Sequence, residues 1–78
     1  MDRNIYQLFA NAIRELRIRH GLTQAECATL AGVERRFYRR LEEGKARRIT
    51  LPAIKRLARV FGLQTGELLE AMERAAED

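Results

Sequence analysis

Residues 23–44 read TQAECATLAGVERRFYRRLEEG, and this stretch decides the fold. Thr23 with Glu26 three residues later spells a capping box, so a short helix starts at Gln24. Gly32 stops it, because a sharp turn needs the positive φ that glycine tolerates. The spacing then predicts a second short helix over about residues 35–43, with Gly44 as its C-terminal cap. Two helices joined by so tight a turn form a helix-turn-helix.

The second of these helices sorts its residues by face. Tyr38 and Leu41, with Val33 just before them, face inward, while Arg35, Arg36, Arg39 and Arg40 cover much of the remaining surface. Four arginines on so short a helix repel one another, a cost that Glu42 and Glu43 only partly offset. The plainest use for such a face is a polyanion whose grooves carry acceptors, since arginine pairs with O6 and N7 of guanine. A merely solvated face is the bland alternative; the capped helix and glycine turn before it weigh against that.

Around this pair the periodicity places a first helix over about residues 4–20, its apolar face made by Ile5, Leu8, Phe9, Ala12, Ile13 and Leu16. Thr50 caps a fourth helix with Pro52 in its first turn, where no helical partner awaits the missing N–H. Its inner face is Ile54, Leu57, Ala58 and Phe61, and Gly62 ends it. A fifth helix spans about residues 65–76. Leu63 and Leu68 complete the core, and the side bearing Leu69, Met72 and Ala76 is left as a surplus stripe, read as a dimer contact.

These motifs in this order resemble the Cro/repressor-type (Xre-like) helix-turn-helix family. The resemblance runs from Ile13 to Leu69, through IRELRIRHGLTQAECA, AGVERRFYRRLEEGK and LPAIKRLARVFGLQTGELL. It implies an all-α, compact five-helix lambda-repressor-like domain that acts as a symmetric dimer on DNA. It also pairs Arg17 with Glu42 in a salt bridge that clamps the first helix to the third. In such a domain the N-terminal end of the recognition helix enters the major groove most deeply. Arg35 and Arg36 are then the leading base readers. Arg40 reaches bases or phosphate, and Glu34 accepts from a cytosine amino group or orients a neighbouring arginine. Phosphate contacts fall to Gln24 and Thr23 at the start of the second helix, to Arg39, and to Lys45, Arg47 and Arg48 in the link. Phe37 has two readings: contact with a thymine methyl, or packing over Thr29 or Leu30. The chain departs from the family at Glu34, where a Ser or Thr cap is common, and in the link, which reads KARRITL without a proline.

Composition sets the outer bounds. At 78 residues the chain is a single helix-turn-helix domain over residues 1–78. A domain of this size buries only about 60% of its unfolded surface, so association with a second copy would add stability. The net charge of +4 hides an asymmetry: residues 1–59 hold 14 basic against 6 acidic residues, whereas the remainder holds one arginine against five acids. A basic body and an acidic end place nucleic acid on one side and the last helix away from it. One cysteine closes no internal disulfide, no apolar run approaches the roughly 20 residues that span a bilayer, and the expected compartment is the cytoplasm. Cys27 reads as a small buried hydrophobe.

Without serine, and with one histidine and one cysteine, the sequence offers no triad and no zinc site, so neither enzymatic activity nor a cofactor is expected. The function expected is a sequence-specific double-stranded-DNA-binding transcriptional regulator, a homodimer on an inverted repeat, of the kind seen in phage repressors and restriction-modification controllers. RNA polymerase is a further partner, through an acidic patch including Glu43. The competing class is an antitoxin that binds a toxin protein through its last helix and autoregulates its operon. Nonspecific nucleoid or RNA binding is a third.

Overall fold

The computed structural model describes the backbone of residues 4–77 and side chains as far as Arg74. Among these residues the chain forms α1 (Ile5–Arg19), α2 (Gln24–Ala31), α3 (Arg35–Glu42), α4 (Leu51–Val60) and α5 (Thr65–Glu77), with no strand. Four of the five helix starts are met by a nearby side chain. Asn4 accepts from the Tyr6 amide at 2.8 Å, and Thr50 accepts from the Ala53 amide at 3.3 Å. At α2 both halves of the capping box are formed: Glu26 N–H to Thr23 Oγ1 at 3.0 Å, and Thr23 N–H to Glu26 Oε1 at 2.8 Å. Glu34 before α3 makes no side-chain cap, consistent with its being a poor capping residue. Gln64 N–H is met by Glu67 Oε1 at 2.8 Å at the start of α5.

Gly32 takes φ 70°, the left-handed conformation the α2–α3 turn requires. Its N–H bonds Thr29 C=O and that of Val33 bonds Ala28 C=O, closing α2 before the chain turns. The last carbonyl of α2, on Ala31, accepts from Arg56 Nε of α4 at 3.2 Å. That long-range cap ties the turn to α4 and was not apparent from local sequence.

α1 lies against α5 and α3, α2 against α3 and α4, and α4 against α5. The largest fully enclosed side chains come from every helix: Ile13, Cys27, Tyr38, Leu41, Leu57 and Leu68. Ala12, Ala28, Ala31 and Ala58 let the helices approach closely around them. Met72 is also buried in this core, at 7% exposure. This corrects its placement on a surplus stripe, because α5 needs that face to cover α1. Leu69, 44% exposed, remains on the outside, and the side chain of Ala76 lies outside the described residues. Among the described residues no helix is long and apolar enough to cross a membrane.

Candidate nucleic-acid interface

The site is built on a buried polar joint between α1, α2 and α3. Glu42, at the end of α3, has only 3% of its side chain exposed. Arg17 of α1 grips both of its oxygens, Nε to Oε2 at 2.6 Å and Nη2 to Oε1 at 3.1 Å. Its remaining nitrogen, Nη1, donates to the Leu22 carbonyl at 3.0 Å, in the turn ahead of α2. Gln24 Nε2 adds a further bond to Glu42 Oε1 at 3.1 Å. Three helices are thus fixed by one carboxylate.

Burial works against the charge on Glu42, but the hydrogen bonds led by Arg17 outweigh it and hold this carboxyl below its usual range. The same bond raises Arg17 above its ordinary value despite partial burial. Tyr38 and Cys27 complete the neighbourhood, both pushed up chiefly by burial. The Tyr38 hydroxyl is enclosed near Glu42 and Cys27 and has no hydrogen-bond partner among the described residues.

This joint holds α3 so that its other side faces solvent. Arg35, Arg36, Arg39 and Arg40 are all exposed, as is Glu34. Successive helical residues turn by about 100°, so Arg36 and Arg40 lie opposite the buried Tyr38, Leu41 and Glu42, with the other arginines on the shoulder. Arg35, Arg36 and Arg39 make no ion pair among the described residues, whose two pairs are Arg17–Glu42 and Arg19–Glu15. Arg40 Nη2 reaches the Lys45 carbonyl at 3.3 Å, a long bond that leaves most of its donors free.

The remaining sequence-derived contacts divide. Thr23 is exposed at the N-terminus of α2, its oxygen accepting within the capping box and its hydroxyl proton uncommitted. The box leaves the amides of Gln24 and Ala25 without helical partners. The Gln24 side chain itself is half-buried and bonded to Glu42, so the outward-facing group expected on a phosphate is engaged internally. Lys45 and Arg48 are exposed along the link. Arg47 is exposed too, and its guanidinium lies over the Tyr6 ring, 4.4 Å from the centroid, and also bonds the Gly44 carbonyl. The aromatic face and the carbonyl pin the link to α1 and leave Nε and Nη2 without a hydrogen bond among the described residues.

Two features were missed by reading along the chain. Arg56 is a cap for α2, and Tyr6 with Gln7 packs beside the end of α3. A side chain at Gly44, whose φ is 74°, would place its Cβ 2.5 Å from Gln7 Oε1. Both arise from contacts between distant segments, which no periodicity reports. The readings of Phe37 are also narrowed. It is half-buried against the core and lines one hollow with Arg40, Lys45 and Ala46 and another with Arg48, Thr50 and Ala53. Thr29 and Leu30 line a separate hollow on the outside of α2.

The described residues contain no cluster of histidine, cysteine and acidic groups able to hold a metal ion. No curated protein matches the chain. A helix-turn-helix domain family matches residues 8–72. Among solved structures, the restriction-modification controller protein C.AhdI from Aeromonas hydrophila is 33% identical, over 81% of this chain and 94% of that one, with a TM-score of 0.75. The clp gene regulator ClgR from Corynebacterium glutamicum superposes with a TM-score of 0.84 at 21% identity, over 97% of this chain and 81% of that one. A mutant of the controller protein C.Esp1396I gives 0.86 at 17% identity, over 100% of this chain and 98% of that one, a likeness of fold. The chain belongs to the Xre-like helix-turn-helix family of DNA-binding regulators, with the five-helix fold of the restriction-modification controller proteins.

Proposed function

We propose that the chain is a sequence-specific, double-stranded-DNA-binding transcriptional regulator that works as a homodimer on an inverted repeat. The observation that carries this reading is the exposed, unpaired arginine face of α3, mounted on a joint in which the neighbouring charges are partnered. Similarity to C.AhdI supports a regulator of the controller kind. α3 lies in the major groove, with Arg35, Arg36 and Arg40 toward base edges and Glu34 beside them. Thr23, the α2 N-terminus, Arg39, Lys45 and Arg48 follow the phosphates on either side.

Leu69, exposed on α5, carries the contact between copies, so Leu69→Glu should sediment as a monomer while retaining the wild-type helical content. Two bound copies place their recognition helices in successive major grooves, roughly 34–36 Å apart. Affinity should fall with salt by a log-log slope of roughly −0.9 per phosphate neutralised. Selection from a randomised duplex pool at near-physiological salt tests the reading. An inverted repeat with half-sites about one helical turn apart is the expected product. A featureless pool sinks operator recognition and moves nonspecific binding ahead, or, should a small neighbouring protein co-purify, the antitoxin reading.

A further inference from the structure

We propose that Phe37 is a specificity-determining residue that reads the C5-methyl group of a thymine in each half-site. The inference rests on the DNA-binding reading above and assigns a base-reading role to an apolar residue at the edge of the arginine face.

Phe37 directly follows Arg36 and precedes Arg40 by three positions, so its ring borders the outermost strip of α3. It is half-buried, with its inner part against the core beside Ala46 and Ala53 and the rest open between the two hollows. Their linings carry Arg40, Lys45, Arg47, Arg48 and Arg56 against one acid, Glu34. Apolar surface in a predominantly cationic surround suits an occupant that is itself an apolar point on a polyanion. The major groove offers one such group: besides hydrogen-bonding groups and small C–H edges, thymine alone among the standard bases presents a methyl there. Core packing on one side holds the ring without the entropy loss of fixing a free side chain. Its position beside Arg36 and Arg40 would place the thymine next to an arginine-read base.

The test replaces each thymine of the selected duplex in turn by deoxyuridine, which removes the methyl and leaves the hydrogen-bonding edge intact. Wild-type protein should lose about fourfold in affinity at one thymine per half-site, the effect of exposing roughly one buried methyl, and be insensitive elsewhere. Phe37→Ala, checked for a cooperative melt, should bind more weakly and show no deoxyuridine effect at that position. A wild-type scan flat to within twofold overturns the proposal, as does Phe37→Ala retaining the full penalty. A second measurement needs no variant: 5-iododeoxyuridine at the sensitive position, irradiated in complex with the wild-type chain, should attach to the peptide at Phe37. Attachment at another residue overturns the assignment. Failure to retain any duplex removes the DNA-binding reading and this inference with it, whereas tight binding with a flat scan removes this inference alone.

Discussion

Arg17 and Arg36 are the same side chain put to opposite uses. Arg17 lies between helices with its three guanidinium nitrogens bonded, to Glu42 and to Leu22 C=O. Arg36 stands on α3 with no ion pair among the described residues, in a row of like charges. A buried charge is tolerated only when paired and hydrogen-bonded, and Arg17 and Glu42 meet that condition in each other. A surface charge faces no such demand, and a crowd of like ones costs some stability. The partnered arginine builds the platform; the unpartnered ones are what the platform presents.

That contrast can be broken most sharply at Glu42. Removing one member of a buried pair leaves the other without its partner, so Glu42→Ala or Arg17→Ala should cost about 3–5 kcal/mol of unfolding free energy. The double variant should be less destabilised than the two singles summed, and chemical denaturation across the cycle measures the coupling. Additive losses would mean that the pair is not a unit.

The same joint sets a pH dependence. Because Glu42 titrates lower when folded than when unfolded, its stabilisation is present above its ordinary value of 4.5 and disappears as the pH falls through the lower folded value. Melting temperature followed downward from neutral pH should therefore drop in the acid range. Glu42→Gln should flatten the portion of that drop belonging to Glu42.

Smaller effects sharpen the boundary between the two kinds of arginine. Arg47→Ala, which removes the contact over Tyr6, should cost on the order of 0.5–1 kcal/mol. It should leave the salt slope of DNA binding unchanged if this side chain serves the link alone. A slope reduced by about one would return Arg47 to the phosphates. At the bottom of the scale, Arg36→Ala should leave the melt unchanged or raise stability by about 0.2–0.5 kcal/mol, through relief of its repulsion with Arg40 one turn on. The same substitution is thus expected to differ in sign at positions 17 and 36.

Much of this architecture is written locally. Thr23 with Glu26, Thr50 with Pro52, and the glycine after α2 each act within a few residues, so their positions predict where helices start and stop. The orientation of α3 also follows from sequence, because Tyr38 and Leu41 leave the arginines no side but the outer one. Contacts between distant segments were not legible. Arg47 reads as a loop cation until Tyr6 is placed beneath it, and Gln24 as a surface amide until Glu42 is placed beside it. Met72 reads as spare apolar surface because its spacing cannot reveal that α5 turns this face toward the monomer core. The pairing of Arg17 with Glu42, 25 residues apart, came from family resemblance; neither residue's neighbours in sequence point to the other.

The most direct test of the division between platform and presented face is the affinity of wild type and Arg36→Ala for a selected operator and for a scrambled duplex, at one fixed salt concentration. The account predicts a loss of about 1–3 kcal/mol on the operator, a much smaller loss on the scrambled duplex, and a relaxed preference at the base pairs beneath α3. Equal losses on both duplexes would contradict it, leaving Arg36 as charge alone.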